Sequence, residues 1–585
     1  MNIPEEPNAK RNFVRWLIDN CVASKQERRT LYDKRRRYYL YGKDANQIVR
    51  FNKLKSHLAL LTSFLYAPDQ ISFAVSAPPN AGEDVAAQYL AIEDDWNSDF
   101  TDCGLADAYD EALLWATVYD TMILKTGWND LTGQEFAQLV EPAAFGVFQE
   151  YVGDLNSQQA MCHTFVLDYD DARERMVRAG LASDIPKLQE VGGGSSDIGL
   201  PAMLQQMIIS ATGGPNFQGN VQGEINPNYE AGPTYTAKLT HNVVPFHELY
   251  VMDNKSKDWR IFHVLEPDFI VSDSKATIHA LKQTGRHKVK PPYDSETNFF
   301  LKHEHPFTAV TPWPLYNYVW GDCHLEDLIP LQNWLTERLT QIDEILEMQV
   351  DPAKDFAGFT GMDDERLGAW GGPGTFVQDP LPGAKATSHY PTMPEDVFRE
   401  FDTIQALFME QSGFTEIMAG RGEKNVRGRG HARELKTTGA GRVRKVATGL
   451  EKSLTRYADI GLKLKAKNDD TVLRTPGADG KPGKEFVLAQ VLGESDYQIR
   501  VSGHSHSPLF TMESTETAFA LFKAQSIDRE WLLRLIKPPH MRDLINALRK
   551  RLIAEQQARE KMAQQGLQPN GKAAPKPSNG AGAPA

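Results

Sequence analysis

The chain has 585 residues, 41% of them hydrophobic and 10% aromatic, which excludes wholesale disorder and allows roughly three or four domains of about 150 residues. No apolar run approaches the roughly 20 residues a spanning helix needs, so no membrane partner is expected. The formal charge of −13 argues against a protein that coats nucleic acid over its whole surface.

Residues 1–20 are mixed and charged without an apolar core, so no secretory signal is expected. Cys21, Cys103, Cys162 and Cys323 show no paired spacing, which predicts neither a disulfide framework nor a cysteine zinc site and fits a reducing environment. The first 130 residues read as helical. Lys34-Arg35-Arg36-Arg37-Tyr38-Tyr39 forms a basic and tyrosine-rich cluster, most simply a wet helix face or a subunit contact. Residues 49–66 are apolar at helical spacing and stop before Pro68, and residues 107–122 form a further amphipathic helix. Residues 123–168 look mixed, with strand-like fragments such as Phe165-Val166-Leu167.

Residues 192–232 are rich in Gly, Asn, Pro, Ser and Gln and read as an insertion around one short helix at 200–210. Residues 243–271 read as strands with a turn at Asp253-Asn254. From Leu325 the pattern changes. Leu328, Leu331, Leu335, Leu339, Ile342 and Leu346 recur at spacings of 3, 4, 4, 3 and 4, a helical stripe ending at Asp351-Pro352. Glu337, Asp343, Glu344 and Glu347 occupy its other faces.

Residues 353–392 are rich in Gly and Pro but carry Phe356, Phe359, Trp370 and Phe376, which predicts a compact module rather than a linker. A second helix follows, with Pro394 at its start, Val397, Phe401, Ile404 and Phe408 as its stripe, and Gly413 at its end. A basic glycine-rich loop, 419–430, leads into a long basic helix over 431–468, with a bend expected near Gly439 to Gly441. A short β segment is expected over 486–501, helices over 514–564, and disorder over 566–585.

Charge is segregated. Residues 325–365 hold eleven acids and two bases, a net of −9; residues 421–467 hold fourteen bases and four acids, a net of +10. A charge run is ordinarily a solvated face. Arg421, Lys424, Arg427 and Arg429 lie among glycines, which allow close approach to a partner, and bases so placed can meet phosphates without reading sequence. The alternative is a solvated surface loop. This loop lacks the order of a phosphate-binding P-loop. His303-Glu304-His305 is not a metalloprotease motif, and His504 and His506 suggest no third ligand. No catalytic residue, metal ligand or cofactor is assigned, and no enzymatic activity is expected.

The ordered set of helix, compact module, helix, glycine-rich loop and long helix resembles the portal proteins of tailed bacteriophages. The resemblance begins at His305-Pro306-Phe307, passes through Trp320-Gly321-Asp322 and Leu325-Glu326-Asp327-Leu328, and reaches Gln332 and the leucine stripe. It covers about residues 240–470 well and the ends more loosely. It implies an α+β, mainly α, portal-type subunit with wing, stem, clip and crown. Residues 1–324 would form the wing, 325–352 the first stem helix, 353–392 the clip and 393–414 the second stem helix. Residues 415–430 would form the tunnel loop, 431–513 the long wing helix and β segment, and 514–564 the crown. Residues 565–585 would form a disordered tail. The insertion at 192–232 and the unusually basic tunnel loop depart from the common pattern.

The family likeness further implies a homo-oligomeric ring, usually of twelve copies, at one capsid vertex of the virion, assembled in the host cytoplasm. Double-stranded DNA would pass through it irrespective of sequence. The partners implied are the terminase large subunit, head–tail adaptor and tail proteins, and major capsid and scaffolding proteins. Arg421, Lys424, Arg427 and Arg429 would form the tunnel loop, Glu337, Asp343, Glu344 and Glu347 an acidic stem, and Asp363, Asp364, Glu365 and Trp370 a partner-binding clip. Two alternatives remain at this point: a head–tail adaptor without a DNA gate, or a metal-dependent DNA-processing enzyme.

Overall fold

A computed structural model describes residues 1–23, 26–42, 51–69, 71–78, 82–129, 132–188, 243–274, 301, 303–350, 353–357, 385–389, 395–412, 429–469, 472–475, 483–494, 497–501, 508–536 and parts of 544–554. Within them the chain is mixed helix and sheet. It forms two units: residues 1–74, 96–469 and 499–508, and residues 75–95, 470–498 and 509–585.

The helices of the first unit open with α1 (Pro7–Ala23), α2 (Gln26–Tyr41) and α3 (Lys53–Leu65). Asn52 caps α3, its side chain accepting from Lys55 N at 3.0 Å. After β1 (Phe73–Ser76), α4 (Glu83–Asp102) passes from the second unit into the first, and α5 (Leu105–Tyr119) follows. Next come β2 (Met122–Asn129), β3 (Gln134–Val140), β4 (Phe145–Val147), β5 (Ala160–Asp168), α6 (Tyr169–Arg178), β6 (Val243–Asp253), β7 (Asp258–Leu265), β8 (Phe269–Asp273) and β9 (Phe307–Val310).

These strands make two antiparallel sheets. One is a meander of five strands, β4-β5-β6-β7-β8; the other has three, β3-β2-β9, with β2 central. The strand expectation over 243–271 and its turn at Asp253-Asn254 match β6, β7 and β8. β6 is buried along nearly its whole length because both faces are covered. Leu249 and Val251 pack with Leu17, Ile18 and Cys21 of α1. On the opposite face Tyr250 packs with Ile123, Phe145 and Phe307, and Phe246 packs with Met176 of α6.

Lys125 of β2 joins the two sheets. Its ammonium donates to Glu248 Oε2 of β6 at 2.7 Å, with both side chains only 2% exposed. Such a pair is tolerable in a core because each charge answers the other. None of the four cysteines forms a disulfide.

Beyond the sheets stands α7 (His324–Val350), 27 residues long, or about 40 Å at 1.5 Å per residue. A short antiparallel ribbon follows, β10 (Ala353–Ala357) on β11 (Lys385–His389), pairing Ala353 with His389. Then come α8 (Glu395–Ser412) and α9 (Arg429–Asn468). α9 is helical without interruption through Gly439 and Gly441. It begins at Arg429, so Arg429 is the first helical residue and not part of the preceding loop. At Gly461 it meets the α4 tryptophan: a Cβ there would lie 2.6 Å from Trp96.

The second unit contains β12 (Val472–Arg474) paired with β13 (Glu485–Val487), where Arg474 and Glu485 form an ion pair. α10 (Leu488–Glu494) follows, and β14 (Gln498–Val501) falls mostly in the first unit, so the β segment expected over 486–501 is interrupted by a helical turn or two. Leu488 and Leu492, spaced by one turn, are both buried. α11 (Pro508–Lys523) starts earlier than the expected 514, its proline suiting a first helical position, and α12 (Arg529–Ile536) follows. Among the described residues no helix is long and apolar enough to cross a membrane.

The insertion at 192–232, its helix at 200–210, Phe359, Trp370 and Phe376 of the compact module and the segment 566–585 lie outside the described residues, whereas Phe356 lies in β10.

Candidate nucleic-acid channel and its supports

The candidate site is built on α7 and α8. The two helices pack side by side for part of their length. Leu328 and Leu335 of α7 and Ile404 of α8 are fully buried, and Phe408 nearly so. Glu400 of α8 accepts from Trp334 Nε1 at 2.9 Å and pairs with Arg338 Nε at 2.9 Å. Farther along α8, Phe408 lies 5.0 Å from the ammonium of Lys53, whose backbone N–H donates to Gln332 of α7. Advancing along α8 therefore retreats along α7, and the two helices run antiparallel. The ribbon of β10 and β11 brings the end of α7 and the start of α8 together.

Gln332 fixes the base of this pair. It is fully buried and bonds twice to the segment leading into α3, accepting from Lys53 N at 3.1 Å and donating to Phe51 O at 2.5 Å. A buried amide with both ends satisfied orients a helix without leaving a polar group stranded.

Toward its C-terminal end α7 leaves the protein body. Leu339 and Ile342 are half-buried, while Leu346, Met348 and Val350 are 47%, 53% and 72% exposed. The stripe legible in the sequence is thus covered by the chain's own core only in its first half. Glu337, Asp343, Glu344 and Glu347 are all exposed. At 100° per residue they fall within an arc of about 120°, beside the apolar stripe. The structure therefore gathers these four acids on one water-facing strip.

Other expected site residues fall elsewhere. Arg421, Lys424 and Arg427 lie outside the described residues, as do Asp363, Asp364, Glu365 and Trp370. His504 and His506 do too. His303 is exposed, with Nδ1 on Lys257 O, whereas His305 is buried against Arg456, which together with burial holds its pKa well below the ordinary histidine value. Glu304 between them pairs with Arg456 and Lys463 of α9 and anchors that helix.

The basic cluster of α2 is wet on one side only. Lys34 and Arg37 are exposed, but Arg35 is buried and Arg36 pairs with Glu141. Tyr38 and Tyr39 are buried as well. The inward face of α2 carries Arg28, Tyr32, Arg35 and Tyr39, one or two turns apart, and grips the segment that leads into α7. Arg28 lies 4.4 Å over the Trp320 ring and 5.2 Å over Tyr318, and pairs with Glu150 at 2.6 Å. Glu150 in turn accepts from Trp320 Nε1 at 2.9 Å. Arg35 donates to Tyr119 O at 2.5 Å, Asp120 Oδ2 at 2.9 Å and Glu326 Oε2 of α7 at 2.5 Å.

Asp120 sits at φ 110°, a region that L-residues adopt only when their surroundings enforce it. Burial pushes its carboxyl up to about 7 against the opposing pull of Arg35 and Arg28. Burial likewise pushes the adjacent Cys323 thiol up to about 12. These supports went unnoticed in the sequence. The available signal was the helical spacing of Arg28, Tyr32, Arg35 and Tyr39.

A scan against models of protein families and a search of curated proteins find no match for this chain.

Proposed function

We propose that the chain is the subunit of a phage-type portal: a homo-oligomeric ring, usually of twelve copies, at a capsid vertex, through which double-stranded DNA is packaged and ejected. The observation that carries this reading is the succession of α7, the β10–β11 ribbon, antiparallel α8 and long α9. In this reading α7 and α8 are the stem, the ribbon begins the clip, α9 is the long wing helix and the second unit holds the crown. The acids of α7 face the channel and repel the DNA backbone, so the duplex slides without sticking. The loop carrying Arg421, Lys424 and Arg427, with Arg429 at the head of α9, supplies weak, sequence-independent contacts to phosphates. The motor is a separate protein, the terminase, which docks on the clip before the adaptor and tail proteins replace it. Capsid and scaffolding proteins meet the outside of the ring.

The test is to change Arg421, Lys424, Arg427 and Arg429 together to Gln in an assembling system. Procapsids form normally, and packaging or retention of DNA falls in a salt-dependent way. Full-length genomes packaged and held as in the wild type refute the DNA role.

A further inference from the structure

We infer that α2 is a releasable clamp on the first turn of α7, in which Arg35 stays anchored to the body and its bond to Glu326 is the part that opens. The inference rests on the geometry of this junction and not on the portal reading.

The two ends of the clamp differ in exposure. On the body side, the side chains of Arg35 and Asp120 are 9% and 7% exposed, and Tyr119 O adds a second anchor. On the α7 side, Glu326 is 43% exposed, so its carboxylate has water to turn to when it leaves. Breaking the inner bond would strand a buried charge, whereas breaking the outer one does not.

The first turn of α7 is also poorly tied by its own backbone. Pro330 lies inside the helix and has no N–H to donate to Glu326 O. The turn that carries Glu326 therefore depends on side-chain contacts more than an ordinary helical turn does. The segment just before it is fixed: Gly321 N donates to Thr121 Oγ1, and a Cβ at Gly321 would come within 2.8 Å of the carbonyl oxygens of Asp120 and Trp313. Movement is thus confined to the helix side of the junction. Finally, the cluster is incompletely satisfied. Among the described residues, Arg35 Nε is buried without a hydrogen-bond partner. A network short of full satisfaction can exchange partners at low cost.

The charges around Asp120 give the clamp a direction. From α2 it faces Arg28, Tyr32 and Arg35; from its own corner Thr121; from the segment ahead of α7 the neutral Cys323 thiol. On α7 stands Glu326, with Asp327 and Asp322 close to it. With Asp120 neutral, Arg28 pairs with the Glu150 carboxylate and Arg35 with that of Glu326. Ionised Asp120 competes with Glu326 for Arg35, and the competitor with access to water is Glu326. Rising pH through about 7 therefore opens the clamp. The thermodynamic sign agrees: the folded carboxyl keeps its proton above the ordinary carboxylate range, so the stability it contributes is full at low pH and lost as pH rises through about 7.

The experiment is amide hydrogen exchange on the full chain at about pH 6 and about pH 8, expressed as protection factors to remove the intrinsic pH dependence. The readout is the peptide spanning residues 328–336, with α5 and β2 as internal controls. In the wild type its protection falls about fivefold between the two conditions, the scale of a partly exposed ion pair, while the controls hold. Glu326→Gln has low protection at both. Asp120→Asn removes the pH dependence. Equal wild-type protection at both conditions, or wild-type protection in Glu326→Gln, overturns the proposal. A drop that persists in Asp120→Asn overturns the role of Asp120. If Asp120→Asn fails to fold, the wild-type series and Glu326→Gln decide the matter alone.

Discussion

Replacing Leu335 with Ala and, separately, Leu346 with Asp distinguishes folding from assembly on a single helix. Both residues lie on the stripe of α7, but Leu335 is fully buried within the subunit and Leu346 is 47% exposed. Truncating Leu335 removes buried methyl groups and leaves a cavity, a loss of about 3 kcal/mol of folding stability. Placing Asp at Leu346 costs an isolated subunit only about 0.5 kcal/mol, as for other partly exposed sites. In a ring the arithmetic reverses. Covering the exposed half of Leu346 contributes about 1 kcal/mol per subunit, and an unpaired carboxylate in its place adds a desolvation penalty of several kcal/mol. Urea unfolding measures the first quantity, and sedimentation or light scattering measures the second. Leu335→Ala lowers the unfolding midpoint; Leu346→Asp leaves it in place and abolishes the large oligomer. An intact oligomer in Leu346→Asp refutes the assignment of the exposed stripe to a subunit interface.

Three further outcomes follow from the packing of single buried residues. Gly461→Ala gains helix propensity of up to about 1 kcal/mol but pushes into the fully buried Trp96, held by Phe100; the net is a destabilisation of about 1–2 kcal/mol by thermal unfolding. Lys125→Met strands Glu248 and lowers folding stability by about 3–5 kcal/mol at neutral pH. The acid side reports the same pair: Lys125, His163 and His263 hold the Glu248 carboxyl well below its ordinary value despite burial, so its contribution is full above about pH 4.5 and lost as pH falls. Unfolding curves of Lys125→Met across that range show a shallower acid limb than the wild type, and identical limbs contradict the pairing.

Local patterns were legible in the sequence because their periods are local. The spacing of Leu328, Leu331 and Leu335 marks α7 within a residue of its start, and the strand-like runs after Val243, split by the turn at Asp253-Asn254, mark the central strands. What the pattern leaves out is which half of the stripe the body covers, since that depends on α3 and α8 arriving from far away in sequence. The helix within the expected β segment was missed because Leu488 and Leu492 make only one helical repeat. Arg35 was misread for a related reason. Its carboxylate partners are 85 and 291 residues away, so a run of bases on α2 looks solvated until the fold delivers Asp120 and Glu326. Lys125 and Glu248 are likewise 123 residues apart. The four acids of α7 show the opposite case: helical geometry alone places them on one strip, and the structure leaves that strip in water.

Single-particle imaging of the purified full chain tests the portal reading most directly. The account predicts a ring with an axial hole, lined at the level of α7 by the strip carrying Glu337, Asp343, Glu344 and Glu347. A compact monomer, or a closed oligomer with no axial opening, contradicts it.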